Sequence, residues 1–125
     1  MIWNGRSVRV YARAAPTDLR KGFDGLSGLV REDLGREPTS GDLYLFVSRN
    51  RVRAKVLLWD GTGLVVYAKR LEEGRFASLW DRLKAGQIEL SAAELQLFLE
   101  GCTEVGKRQF SPPEIDPQRP LIPAA

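Results

Sequence analysis

Between Leu43 and Arg70 the chain leaves room for little but an antiparallel sheet. Leu43-Tyr44-Leu45-Phe46-Val47-Ser48, entered from the turn formers Pro38-Thr39-Ser40-Gly41, is dense in aromatic and aliphatic residues and reads as a central strand. A second strand is expected over about Val52 to Trp59, and Asp60-Gly61-Thr62-Gly63 is a hairpin signal leading into a third, Leu64 to Arg70. The connections are about four or five residues long, too short for the crossover that parallel pairing needs. Three sequential strands therefore form an antiparallel meander.

Around it the period changes. Ser7-Val8-Arg9-Val10-Tyr11-Ala12-Arg13 alternates apolar and polar residues, the signature of a half-buried strand with Val8, Val10 and Ala12 facing inward. After Pro16, Thr17 or Asp18 can cap a helix whose apolar positions are Leu19, Phe23, Leu26 and Val30. Gly22, Gly25 and Gly28 fall inside that stretch at a spacing of three. Each costs about 1 kcal/mol against Ala in a helix interior, so close backbone packing is the expected compensation. The alternative is a loop over Lys21 to Gly25 and a helix only from Leu26 to Leu34, ending at Gly35. Phe76, Leu79, Trp80 and Leu83 follow i, i+3, i+4, i+7 and predict a short helix that stops near Gly86. Gln87-Ile88-Glu89-Leu90 adds a short strand. Ser91-Ala92-Ala93-Glu94 is a capping box that opens a helix burying Leu95, Phe98 and Leu99 and ending at Gly101. The fold class is α+β: a single domain over residues 1–110 with a meander sheet of about four to five strands and helices mainly on one face. Five of the seven prolines fall in residues 111–125, a tail expected to be disordered.

Composition removes most chemistries. The chain has no His and one Cys, Cys102, so it cannot supply a His/Cys zinc site, a Ser-His-Asp triad, a Cys-His dyad or an internal disulfide. No Asp/Glu cluster at short spacing points to an oxygen-ligated metal. No enzyme activity, metal or cofactor is expected. No run of about 18 apolar residues is present and the N-terminal residues lack a signal-peptide core, so the expected compartment is the cytoplasm, with no membrane partner.

The net charge of +3 is unevenly spread: residues 1–70 carry 13 Lys and Arg against 7 Asp and Glu, while residues 71–106 carry 3 against 7. Within the basic part, Arg49-Asn50-Arg51-Val52-Arg53-Ala54-Lys55 is the most informative constellation. In an extended chain Arg49, Arg51, Arg53 and Lys55 share one face, about 6.5 to 7 Å apart, while Val52, Ala54, Val56 and Leu58 face the other way. That spacing is close to the phosphate repeat of an extended nucleic-acid strand, and the arginine fork donates two bonds to a phosphate at once. Arg9 and Arg13 on the first strand, with Arg20 and Lys21 before the helix, extend the candidate DNA-binding set. The competing reading is a charged hairpin whose cations only deter edge-to-edge aggregation. Trp3, Trp59 and Trp80 could stack on bases, but Trp59 and Trp80 read as core.

Three stretches, in this order, carry a resemblance. Thr17-Asp18-Leu19-Arg20-Lys21-Gly22-Phe23-Asp24-Gly25-Leu26 is the first. Leu57-Leu58-Trp59-Asp60-Gly61-Thr62-Gly63 with Lys69-Arg70-Leu71-Glu72-Glu73-Gly74-Arg75-Phe76 is the second. Glu89-Leu90-Ser91 with Leu99-Glu100-Gly101 is the third. Together they resemble the accessory protein encoded by the second reading frame of insertion sequence sixty-six elements, a TnpB-type protein unrelated to the RNA-guided nuclease of that name. The resemblance covers about residues 7 to 102. Two features depart from the family pattern: Ala77-Ser78-Leu79-Trp80-Asp81-Arg82 stands where an aromatic-proline segment is usual, and Val52-Arg53 stands where a Gly-Asp pair is frequent.

The resemblance implies a bacterial protein of a mobile element, acting beside a larger transposase and a companion accessory protein, and assisting transposition without cutting DNA. Two functions are then expected as alternatives. In one the protein binds DNA through the basic strand or hairpin. In the other it is an interaction module that holds the transposase or the second accessory protein and never touches DNA. Self-association is open in both.

Overall fold

The computed structural model describes residues 7–80 and 87–101, together with the backbone of 103–105 and 108–110. The first strand, β1 (Val10–Arg13), leads into helix α1 (Phe23–Glu32). The meander follows as β2 (Leu43–Val47), β3 (Arg53–Trp59) and β4 (Leu64–Arg70). Then come β5 (Gln87–Leu90), α2 (Ala92–Leu99) and a small antiparallel pair, β6 (Thr103–Val105) with β7 (Arg108–Phe110). The main sheet has the order β4-β3-β2-β1-β5. Its β2-β3-β4 part is the expected meander, with Val47 opposite Ala54 and Arg53 opposite Arg70. β1 joins β2 in parallel, and the chain between them is the long crossover that carries α1.

β2 is buried along its whole length, as its apolar run requires. Because successive side chains point to opposite faces, β1 and β2 feed two cores. Val10, Ala12, Leu43, Leu45 and Val47 join Ala54, Val56 and Leu58, and Phe76, Leu79 and the α2 residues Leu95, Phe98 and Leu99 cover them. Tyr11, Tyr44, Phe46 and Leu57 face the other way and are covered by Leu26, Val30 and Leu34 of α1 and the turn after it. The expectation of helices mainly on one face is thereby corrected: α1 and α2 sit on opposite faces. The correction follows from Tyr11, which the alternating pattern assigned to solvent. Its ring is buried beneath the Arg36 guanidinium, 3.5 Å from the centroid, and lies 6.1 Å from the Tyr44 ring.

The Asp60–Gly63 hairpin forms as predicted, with the Asp60 carboxylate accepting the N–H groups of Thr62 and Gly63 at 3.0 Å. Those donors hold the Asp60 carboxyl below the usual carboxylate range. The Ser91 capping box is complete: the Glu94 N–H donates to Ser91 Oγ at 3.0 Å and the Ser91 N–H to Glu94 Oε1 at 2.8 Å. The expected helix over Phe76 to Leu83 is absent from its described part, residues 76–80, which is irregular. Phe76, Ala77 and Leu79 are nevertheless buried and Trp80 packs on the same core, so their spacing reflects burial without a helix. Trp59 is only partly buried and belongs to neither core. Trp3, Cys102, the predicted stop near Gly86 and the proline-rich tail lie outside the described residues.

The glycines of α1 do not share one explanation. Gly22 is the N-cap and Gly35, at φ +65, turns the chain after the helix. A Cβ on Gly25 would come within 2.9 Å of Lys21 Cβ, so this glycine admits the Lys21 stem. A Cβ on Gly28 would meet nothing within 4 Å, and close packing does not account for it. Gly28→Ala is therefore expected to stabilise the protein by about 1 kcal/mol through helix propensity. A rise in thermal midpoint of about 3–5 °C would show it, and an unchanged or lower midpoint would mean that Gly28 is needed for packing.

Candidate nucleic-acid interface

The cation row predicted from alternation does not exist as a straight strand. β3 begins only at Arg53, and residues 48–52 form a turn. Ser48 and Asn50 close it: Ser48 Oγ accepts the Arg53 N–H at 3.1 Å and donates to Asn50 Oδ1 at 2.8 Å, while the Val52 N–H donates to Asn50 Oδ1 at 3.2 Å. Arg51 takes φ +60, a left-handed conformation uncommon for a residue with a Cβ. Its guanidinium turns inward, NH1 donating to Phe76 O at 3.2 Å, while its own carbonyl accepts the Phe76 N–H at 2.6 Å. Arg51 is thus a clasp between the β2-β3 turn and the segment after β4. Arg49 and Arg53 are exposed, and neither has an ion-pair partner among the described residues.

The remaining predicted cations divide by position. Lys55, on the α1 face of β3, donates from Nζ to Lys21 O at 3.1 Å, tying the two candidates together. Lys21 itself is exposed. Arg20 is held by Asp18, with NH2 2.7 Å and Nε 3.2 Å from Oδ2, and that contact holds the Asp18 carboxyl well below its usual range. Arg13 is structural: it pairs with Asp33 at 2.8 Å and donates to Pro16 O and Thr17 Oγ1, anchoring the loop whose Thr17 N–H bonds Val47 O. Arg9 lies at the other end of β1, where its N–H donates to Asp42 and its side chain pairs loosely with Glu89 at 3.9 Å. It does not join the others.

Strand register adds cations that alternation along one segment cannot reveal. Arg70 lies directly opposite Arg53 and Lys69 opposite Ala54. Beyond β4 the Leu71 N–H bonds Val52 O and the Phe76 N–H bonds Arg51 O, so the exposed Arg75 returns to the same end of the sheet. Arg49, Arg51, Arg53, Lys55, Lys69, Arg70, Arg75 and Lys21 are gathered there. Glu72 and Glu73 accompany them, and Glu72 pairs with Arg70 at 3.1 Å. Like charges at directly opposite positions of an antiparallel pair are unfavourable, and the Glu72 carboxylate offsets that of Arg70.

Comparison with known proteins agrees with the blocks quoted above. The family model for "IS66 Orf2 like protein" matches residues 8–109. The uncharacterized protein y4hO of Sinorhizobium fredii (strain NBRC 101917 / NGR234) is 38% identical over 101 residues, spanning 81% of this chain and 86% of its own length. The uncharacterized protein y4jC of the same organism is 33% identical over 101 residues, spanning 81% and 85%. No solved structure gives a significant match. On that match the chain belongs to the IS66 Orf2-like family, the accessory proteins of an insertion sequence.

Proposed function

We propose that the protein assists transposition by binding DNA through the basic end of its sheet, with Arg49, Arg53, Lys21 and Lys55 as phosphate contacts and Arg70 and Arg75 beside them. The observation that carries this reading is the strand register that sets Arg53 opposite Arg70, concentrating positive charge at one exposed end of the sheet where it suits a polyanion. Chain composition supports a role without strand cleavage, since neither histidine nor a short-spaced acidic cluster is present. The transposase and the companion accessory protein of the same element are its partners in this reading. Among the described residues no helix is long and apolar enough to cross a membrane.

The test is duplex DNA affinity of the purified protein as a function of salt, by fluorescence anisotropy. Four phosphate contacts predict a log-log slope of about −3 to −4. Absence of binding at about 50 mM salt would remove this surface from consideration and leave the protein-partner alternative, with the transposase as the first bait.

A further inference from the structure

Resting on the DNA reading, we infer that the same basic end takes a single strand, and that Phe23 is the platform on which an unpaired base stacks. Phe23 opens α1, three and four residues before Leu26 and Ser27 on the stripe that packs against the sheet. Leu26 and Val30 on that stripe are fully buried, whereas Phe23 is 50% exposed. On the α1 face β4 presents Leu64, Val66, Ala68 and Arg70 in turn; Leu64 and Val66 pack against the α1 core. Ala68, level with Lys55, carries only a methyl group and is itself exposed.

A single exposed apolar side chain is ordinary. The surroundings of this one are not. Lys21, two residues away, lays its stem against Gly25 and receives the Lys55 ammonium on its carbonyl oxygen. Arg53 and Arg70 follow on the same face, one step beyond Lys55 and Ala68. Asp24 is the acidic neighbour in the first helical turn, and Glu72 pairs with Arg70 at 3.1 Å, which leaves Lys21, Lys55 and Arg53 without an ion-pair partner among the described residues. An aromatic face set among phosphate-binding cations is the combination by which proteins hold single strands, because every base has a π-face while a duplex keeps its bases stacked inside. An apolar protein partner would have to bury Lys21, Lys55 and Arg53 without a carboxylate partner, at a cost that a polyanion avoids.

The experiment compares three labelled probes of about 12 nucleotides: oligothymidylate, an abasic strand of the same length and charge, and a duplex. The full-length protein is expected to bind oligothymidylate about tenfold more tightly than the abasic strand. Phe23→Ala and Phe23→Leu abolish that preference, Phe23→Trp keeps it, and duplex affinity stays within about twofold throughout. Equal wild-type affinity for the thymidylate and abasic strands overturns the inference, as does a preference that survives in Phe23→Ala. Either of those results with duplex binding intact leaves the broader DNA reading in place, whereas failure to bind any of the three probes removes both.

Discussion

Phe76→Ala is expected to lower the unfolding free energy by about 3–5 kcal/mol, a large fraction of the stability of an ordinary domain. Phe76 is fully buried and stacks on Phe98 at 5.1 Å between centroids, 13° from parallel. Truncation removes its transfer free energy, leaves a cavity over β1 to β3, and forfeits an aromatic pair worth about 0.5–1.5 kcal/mol beyond area. The segment around Phe76 is irregular, so it is held to the sheet by its buried side chains, of which this ring is fully buried, and by the Arg51 clasp. Urea unfolding with unchanged slope and a lower midpoint is the measurement. A loss below about 1 kcal/mol would show that the site collapses around the smaller side chain. Since both hydrogen bonds between Phe76 and Arg51 depend on that seating, DNA affinity should fall as well, at concentrations where the variant remains folded.

The second large effect is on binding with the fold untouched. The double variant Arg49→Ala/Arg53→Ala should weaken duplex binding by about ten- to hundredfold at low salt and flatten the log-log salt slope by about 2, since each phosphate contact releases counterion. Both side chains are exposed and without an acidic partner among the described residues, so stability should stay within about 0.5 kcal/mol of wild type. Arg51 is left out of the pair because its inward hydrogen bond would mix a folding effect into the result. Unchanged affinity together with an unchanged slope would exclude this end of the sheet as the DNA contact.

Much of this architecture was legible from local rules. β4 spans the residues its pattern marked out, Leu64–Arg70, and the Asp60 hairpin and Ser91 capping box formed as read. Each depends on contacts within a few residues, where side-chain type and spacing are sufficient. The errors share another origin. Alternation carries the cation row back through Asn50 to Arg49, although Asn50 and the adjoining Ser48 have side chains that bond neighbouring backbone and so favour turns. The residue types held the signal, but a strand's period was counted across it. Phe76, Leu79 and Trp80 have helical spacing because they return to one core, which an irregular segment achieves equally well.

By itself the sequence determined the meander, the capped helix, the absence of histidine chemistry, the excess of cations before residue 71 and the family blocks. Each is a property of one segment or of composition. Only the tertiary structure decided that the helices lie on opposite faces, that Tyr11 is buried, that Arg51 and Arg13 are structural, and that Arg70 stands opposite Arg53. Those outcomes are set by strand register and by the path of the crossover between β1 and β2. Both bring together residues that are far apart in the chain, and no local period encodes that pairing.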